Sequence, residues 1–176
     1  EHARECKLYG LSGMVPPLVH PLMDRLFESW DPLAEDPRKY LGILETWMSL
    51  LHNETPVKYL DPANPAFEHC LSQYEKILWK VVIPRIRECV MVRWRPQKYE
   101  PVLDMLEIWD HVLPAWASSY VTADLVLPKI IGALEKWEPQ KDTFPVHLWL
   151  HPWASRLGPK MDALYPSIRY KLSLAL

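Results

Sequence analysis

The stretch Pro128-Lys129-Ile130-Ile131-Gly132-Ala133-Leu134-Glu135-Lys136-Trp137-Glu138-Pro139 decides the fold class. Ile130, Ile131, Leu134 and Trp137 recur at helical spacing and mark one apolar face. Trp137 is the last large anchor of that face. Pro139, two residues on, cannot continue the helical hydrogen bonds, so the chain turns. The triplet W-x-P occurs three times, as Trp30-Asp31-Pro32, Trp94-Arg95-Pro96 and Trp137-Glu138-Pro139. Each copy closes an apolar helical run, and each run holds a proline 9 or 10 residues before the tryptophan: Pro21, Pro84 and Pro128. Where that proline lies inside the helix, a kink is expected.

Working outward, Tyr40, Leu41, Leu44, Trp47, Met48 and Leu51 form a second apolar face, with Pro37 suited to a first turn. Val102, Leu106, Trp109, Leu113 and Trp116 form a third, and Phe67, Leu71, Tyr74, Leu78 and Val81 a fourth. Period-two alternation is hard to find, so no strand is expected. A second helix follows each W-x-P turn, carrying Trp47, Trp109 or Trp149. Trp94 to Trp137 spans 43 residues and Trp30 to Trp94 spans 64. The excess falls in residues 52–65, rich in Pro, Asn and Asp, which read as an inserted loop.

A period near 43 built from two helices lies in the range of HEAT and armadillo repeats. The expected fold is therefore all-α: antiparallel helix pairs with proline-terminated helices, stacked as a HEAT/armadillo-like superhelical repeat. An ordinary bundle with helix-stop prolines is the alternative, but three copies of one triplet in matching positions favour the repeat. A fourth run starts at Pro166 and reaches Leu176. Residues 1–176 read as a single helical domain, a fragment of a longer protein, because solenoid ends normally need capping.

Composition narrows the function classes. The 176 residues hold 18 prolines and 9 tryptophans but only 5 glycines. Disordered chains lack tryptophan, and phosphate-binding loops need glycine, so linkers, Rossmann folds and P-loops are disfavoured. No stretch of 18 uninterrupted apolar residues exists, so no membrane helix is expected, and the charged N-terminus does not read as a signal peptide. Cys6, Cys70 and Cys89 form no C-x-x-C pair, which points to a reducing compartment, cytosol or nucleus. The net charge of −2 is unevenly spread. Residues 80–98 carry 6 basic groups and 1 acidic group, against net charges of −5 before and −2 after. Bulk attraction to nucleic acid is not expected from that total.

One constellation is distinctive: Val146-His147-Leu148-Trp149-Leu150-His151-Pro152-Trp153, then Leu164-Tyr165-Pro166-Ser167-Ile168-Arg169 and Lys171-Leu172. With Trp109-Asp110-His111-Val112-Leu113-Pro114-Ala115-Trp116, Leu127-Pro128-Lys129-Ile130 and the opening Leu18-Val19-His20-Pro21-Leu22-Met23, it resembles the GC-rich-sequence DNA-binding-factor-like (GCFC) domain. The branch it most resembles is that of the tuftelin-interacting protein 11 / septin-interacting protein family. The resemblance implies a nuclear pre-mRNA splicing factor acting in disassembly of the intron-lariat spliceosome. Such factors recruit and stimulate a DEAH-box RNA helicase through a glycine-rich G-patch, which would lie outside this chain. The implied role is a non-catalytic docking scaffold for spliceosomal proteins, with no cofactor and no membrane association. Nothing in the residues supports the DNA binding that the family name mentions.

The residues offer little catalytic chemistry. His147 and His151 stand at i, i+4, a zinc-like spacing, but no carboxylate completes a ligand set nearby. Asp104 and Glu107 read as a solvated face, and Asp110-His111 lacks a nucleophile elbow. Cys70 and Cys89 read as buried small hydrophobes. Seven tryptophans are expected as structural anchors: Trp30, Trp94, Trp109, Trp116, Trp137, Trp149 and Trp153.

The basic segment is the best candidate for binding a partner or RNA. It holds Lys80, Arg85, Arg87, Arg93, Arg95 and Lys98, with Trp94 and Tyr99 among them. Arginine can grip phosphate or carboxylate, and aromatics can stack on bases. At about 100° per residue, Lys80, Arg87 and Arg95 share a sector of roughly 80°. Arg85 and Arg93 point elsewhere. Three readings stand: an acidic protein partner, direct RNA binding, or arginines paired with acids of adjacent helices.

Overall fold

The computed structural model describes residues 15–51 and 62–175. Among these it is all-helical, without strands, in eight helices. Helix α1 is Val15–Phe27 and α2 is Leu41–Leu51. A single turn, α3, covers Phe67–Cys70. Helix α4 runs unbroken through Gln73–Ile77, Leu78–Val82, Ile83–Glu88 and Cys89–Arg93. Helix α5 is Glu100–Trp109. Helix α6 joins Ala115–Tyr120, Val121–Val126 and Leu127–Lys136. Helix α7 joins Val146–Leu150, His151–Trp153 and Ala154–Leu157, and α8 is Tyr165–Ala175. Of the expected loop, 62–65 form turns and 52–61 lie outside the described residues.

Val19, Met23 and Phe27 recur at i, i+4 and i+8, and α1 lays this buried stripe on the first half of α4. The second half of α4 packs on α6, whose middle also meets the end of α7. One continuous apolar core runs through all of them. No helix among the described residues is long and apolar enough to cross a membrane.

The interior prolines sit in the helices without ending them. Proline lacks an N–H, and its ring presses on the carbonyl four residues back, at a cost of about 3 kcal/mol in a regular helix. Both long helices place a π-helical turn immediately before the proline. The Ile83 N–H bonds to the Leu78 carbonyl ahead of Pro84, and the Leu127 N–H bonds to the Thr122 carbonyl ahead of Pro128. Each bond reaches five residues back, which spreads the ladder where the ring would press on it. Trp94 and Trp137 then leave the helix in extended backbone, with ψ of 142° and 130°.

The seven anchor tryptophans are all buried. Trp30 stacks on Trp109, centroids 5.0 Å apart and planes 9° from parallel. Trp94 meets Trp153 edge-on at 5.7 Å. The tryptophan of one W-x-P triplet thus contacts a tryptophan beyond the next W-x-P triplet, twice over.

Three expectations need correction. The apolar face from Phe67 to Val81 is buried but not one helix. Leu71 is extended, and Ser72 restarts the chain as α4 through a capping box with Glu75. The face from Val102 to Trp116 is likewise cut: α5 ends at Trp109, and Pro114 opens α6. Cys70 is exposed, whereas Cys89 is buried.

Candidate functional site

Helix α4 carries the basic segment between α1 on one side and α6 on the other. Its neighbours take up most of the charges. Lys80 Nζ lies 4.0 Å from Glu68, and Arg85 lies 3.7 Å from Asp24 of α1. Arg87 donates to the Tyr120 hydroxyl of α6 and stands over the Trp79 and Tyr120 rings at 5.9 Å and 5.5 Å. Arg93 donates to the Asp31 carboxylate in the first W-x-P turn and to Cys89 Sγ at 3.1 Å. Exposed pairs of this kind are screened by water, so they orient side chains more than they stabilise the fold.

Arg95 and Lys98 are different. The helix ends at Arg93, so Arg95 leaves the sector that a continuous helix would give it. Both side chains are exposed, and neither makes an ion pair among the described residues. The Lys98 carbonyl accepts the Trp94 indole N–H at 2.8 Å, which fixes the turn. Arg95 borders a groove of about 460 Å³ between this turn and the last turns of α6. The exposed Pro128 and the half-buried Gly132 line it as well, and Lys129 and Lys136 add further positive charge. Lys129 Nζ donates to the Met91 carbonyl at 2.7 Å. Asp142 is the acidic group at the rim, its carboxylate held by the Glu138 N–H at 2.8 Å.

The groove is held by tight local chemistry. Lys171 of α8 donates to the carbonyls of Leu134, Glu135 and Trp137 at 2.9, 2.7 and 2.8 Å, capping the end of α6 with a positive charge. On the other side of α6, the buried carboxylate of Glu75 accepts from Trp116 Nε1 at 2.7 Å and from the Ser72 N–H at 2.9 Å.

Among the described residues, the other titratable groups singled out from the sequence stand apart from one another. His147 and His151 are both exposed, as are Asp104 and Glu107. Among the described residues no group of three or more His, Cys, Asp or Glu could hold a metal ion. Asp110 takes a two-point contact from Arg156 at 3.0 and 2.7 Å, while His111 turns to Glu45 at 2.7 Å, so the adjacent pair is drawn to different elements. Burial, reinforced by Asp31 and opposed by Arg93, pushes the Cys89 thiol up to about 11, which keeps it protonated at neutral pH.

Comparison with known proteins fits this helical, tryptophan-anchored chain. The family described as GC-rich sequence DNA-binding factor-like protein matches residues 1–176. The chain belongs to that family. Relatives called tuftelin-interacting protein 11 are 33% identical in Danio rerio and 32% in Rattus norvegicus, each over the whole of this chain. The Homo sapiens relative is 34% identical over 90% of it. The chain spans about a fifth of the length of these curated relatives.

Within this GC-rich sequence DNA-binding factor-like chain, sequence reasoning missed Lys129 and Lys136, which reach the groove from α6. Their signal was weak: two lysines seven residues apart on a helix read as solvated face. Glu75 was missed too, although Ser72-Gln73-Tyr74-Glu75 carries the S-x-x-E signature of a helix start.

Proposed function

We propose that this domain is a non-catalytic protein-interaction scaffold, its helix pairs stacked in the manner of HEAT or armadillo repeats. It would serve a nuclear pre-mRNA splicing factor that acts in disassembly of the intron-lariat spliceosome. Kinship with the tuftelin-interacting protein 11 relatives supports the splicing context. The repeated tryptophan contact, Trp30 on Trp109 and Trp94 on Trp153, carries the scaffold reading, because a contact that recurs along the chain is what stacked helix pairs would make. Docking would bring a separate G-patch, elsewhere in the longer protein, close to a DEAH-box RNA helicase. The effect on the helicase would then come from raised effective concentration.

Direct RNA binding through residues 80–98 is the weaker alternative. Arg85, Arg87 and Arg93 each turn to a different neighbour, which leaves no row of free cations along α4. The test is a pull-down from nuclear extract with this chain, with and without ribonuclease. Spliceosomal proteins that persist after ribonuclease support docking. Retention that vanishes with ribonuclease overturns it in favour of RNA.

A further inference from the structure

The internal repetition of this chain supplies its own control. Aligning the W-x-P tryptophans places Asp31 against Arg95 at one side of each junction. On the facing helix it places Arg93 against Lys136, and, because the Trp94 N–H reaches the Cys89 carbonyl where the Trp137 N–H reaches that of Ala133, Cys89 answers to Ala133, with Gly132 beside it. In the first junction the three groups close on one another. Asp31 accepts from Arg93 and lies 3.5 Å from Cys89 Sγ. In the second junction the carboxylate is replaced by a cation, the thiol by the smaller methyl of Ala133, and the arginine by another cation. A groove stands where the first junction is filled, and Arg95, Gly132 and Lys136 all line it.

We infer that this groove docks a short segment of a partner protein that bears a carboxylate, seated over Gly132 between Arg95 and Lys136 in the place that Asp31 fills one repeat earlier. The inference rests on the scaffold reading and names the chemistry of its partner. Arg95, Lys129 and Lys136 outnumber Asp142, so the groove is net positive. The exposed Pro128 offers apolar contact to the side chains that flank a carboxylate. A nucleic acid fits less well. Trp94 and Trp137 are only 4% and 6% exposed, so neither ring is free to stack on a base.

The test is fluorescence anisotropy on the 176-residue chain with three labelled probes. These are a short peptide of alternating glutamate and leucine, the same peptide with glutamine for glutamate, and a short oligouridylate. The glutamate peptide is expected to bind about tenfold or more tightly than the glutamine peptide, the scale of one charge-assisted contact. Arg95→Glu and Lys136→Glu should each weaken it by about tenfold or more, while Arg25→Glu on α1 leaves it unchanged. Gly132→Leu separates binding from folding. A Cβ at Gly132 meets nothing within 4 Å, so the backbone accepts a side chain there, and a variant that melts no lower than the unaltered chain yet loses the peptide is the expected result.

Equal binding of both peptides overturns the inference, as does binding that ignores the three groove variants. Oligouridylate binding that is lost in those variants overturns it in favour of RNA. If the glutamate peptide fails while the unaltered chain still retains spliceosomal proteins after ribonuclease, the groove assignment falls and the scaffold reading stands.

Discussion

Replacing Glu75 with alanine tests whether one buried carboxylate ties the start of α4 to α6. The side chain is 6% exposed and serves two donors, Trp116 Nε1 at 2.7 Å and the Ser72 N–H at 2.9 Å. Hydrogen bonds to a charged group contribute about 1.5–3 kcal/mol each, so losing both removes roughly 3–6 kcal/mol. The variant also no longer has to bury a carboxylate, and that relief brings the expected loss to about 3 kcal/mol. For a chain of this length that is a fall in Tm of roughly 6–12 °C. Ser72→Ala removes only the hydroxyl that accepts from the Glu75 N–H at 3.2 Å and should cost about 1 kcal/mol. Glu75→Gln should fall between them, because its amide can accept from one donor but presents an NH₂ to the other. Urea unfolding followed by far-UV circular dichroism gives all three values. A Glu75→Ala loss within about 0.5 kcal/mol of the Ser72→Ala loss refutes the reasoning, because the indole contact would then contribute nothing beyond the cap.

Other outcomes rest on the same packing. Gly132→Ala, in a helix interior with open space for the new methyl, should stabilise the chain by about 0.5–1 kcal/mol in the same urea assay. Trp109→Ala should cost about 3–5 kcal/mol, because the ring is fully buried, stacks on Trp30, and donates to the Pro37 carbonyl. The His20 pKa is lowered from its ordinary 6.5 by burial, then by Lys80 and Lys76. The unfolded chain therefore binds the extra proton first, and stability should fall as pH drops through 6.5 towards the lower folded value. Thermal melts of His20→Gln across that window should show a flatter pH profile; an unchanged slope would assign it to other groups.

Much of the core was legible because tryptophan and proline act locally. A tryptophan followed by a helix-breaking proline marks both the end of a helix and its last large anchor, so Trp30, Trp94 and Trp137 could be placed without knowing their neighbours. Helix breaks were harder to see. The apolar spacing from Phe67 to Val81 persists across Leu71, since all five residues reach the same core even though the backbone turns extended between them. Periodicity reports which residues face inward, whereas the break is written in the polar pair Ser72 and Glu75. The groove was the least legible feature. A helical wheel gives the direction of Arg85, Arg87 and Arg93 but says nothing of Asp24, Tyr120 and Asp31, which come from other elements to meet them.

The spacing between the interior proline and the closing tryptophan shows how a one-residue irregularity can be structural. Pro21 and Pro128 stand 9 residues before their tryptophans, and Pro84 stands 10 before Trp94. In a regular helix one extra residue turns everything after it by about 100°. Trp94 would then swing out of its contact with Trp153. Helix α4 carries a second π turn at Cys89–Arg93, and the Trp94 N–H reaches back five residues to the Cys89 carbonyl at 2.9 Å. The Trp137 N–H, without the extra residue, reaches back four, to the Ala133 carbonyl at 2.9 Å. A π turn takes up one residue without advancing the phase of the residues beyond it. The inserted residue is thus absorbed before the tryptophan, and the contact between Trp94 and Trp153 survives the extra residue in the helix that leads to it.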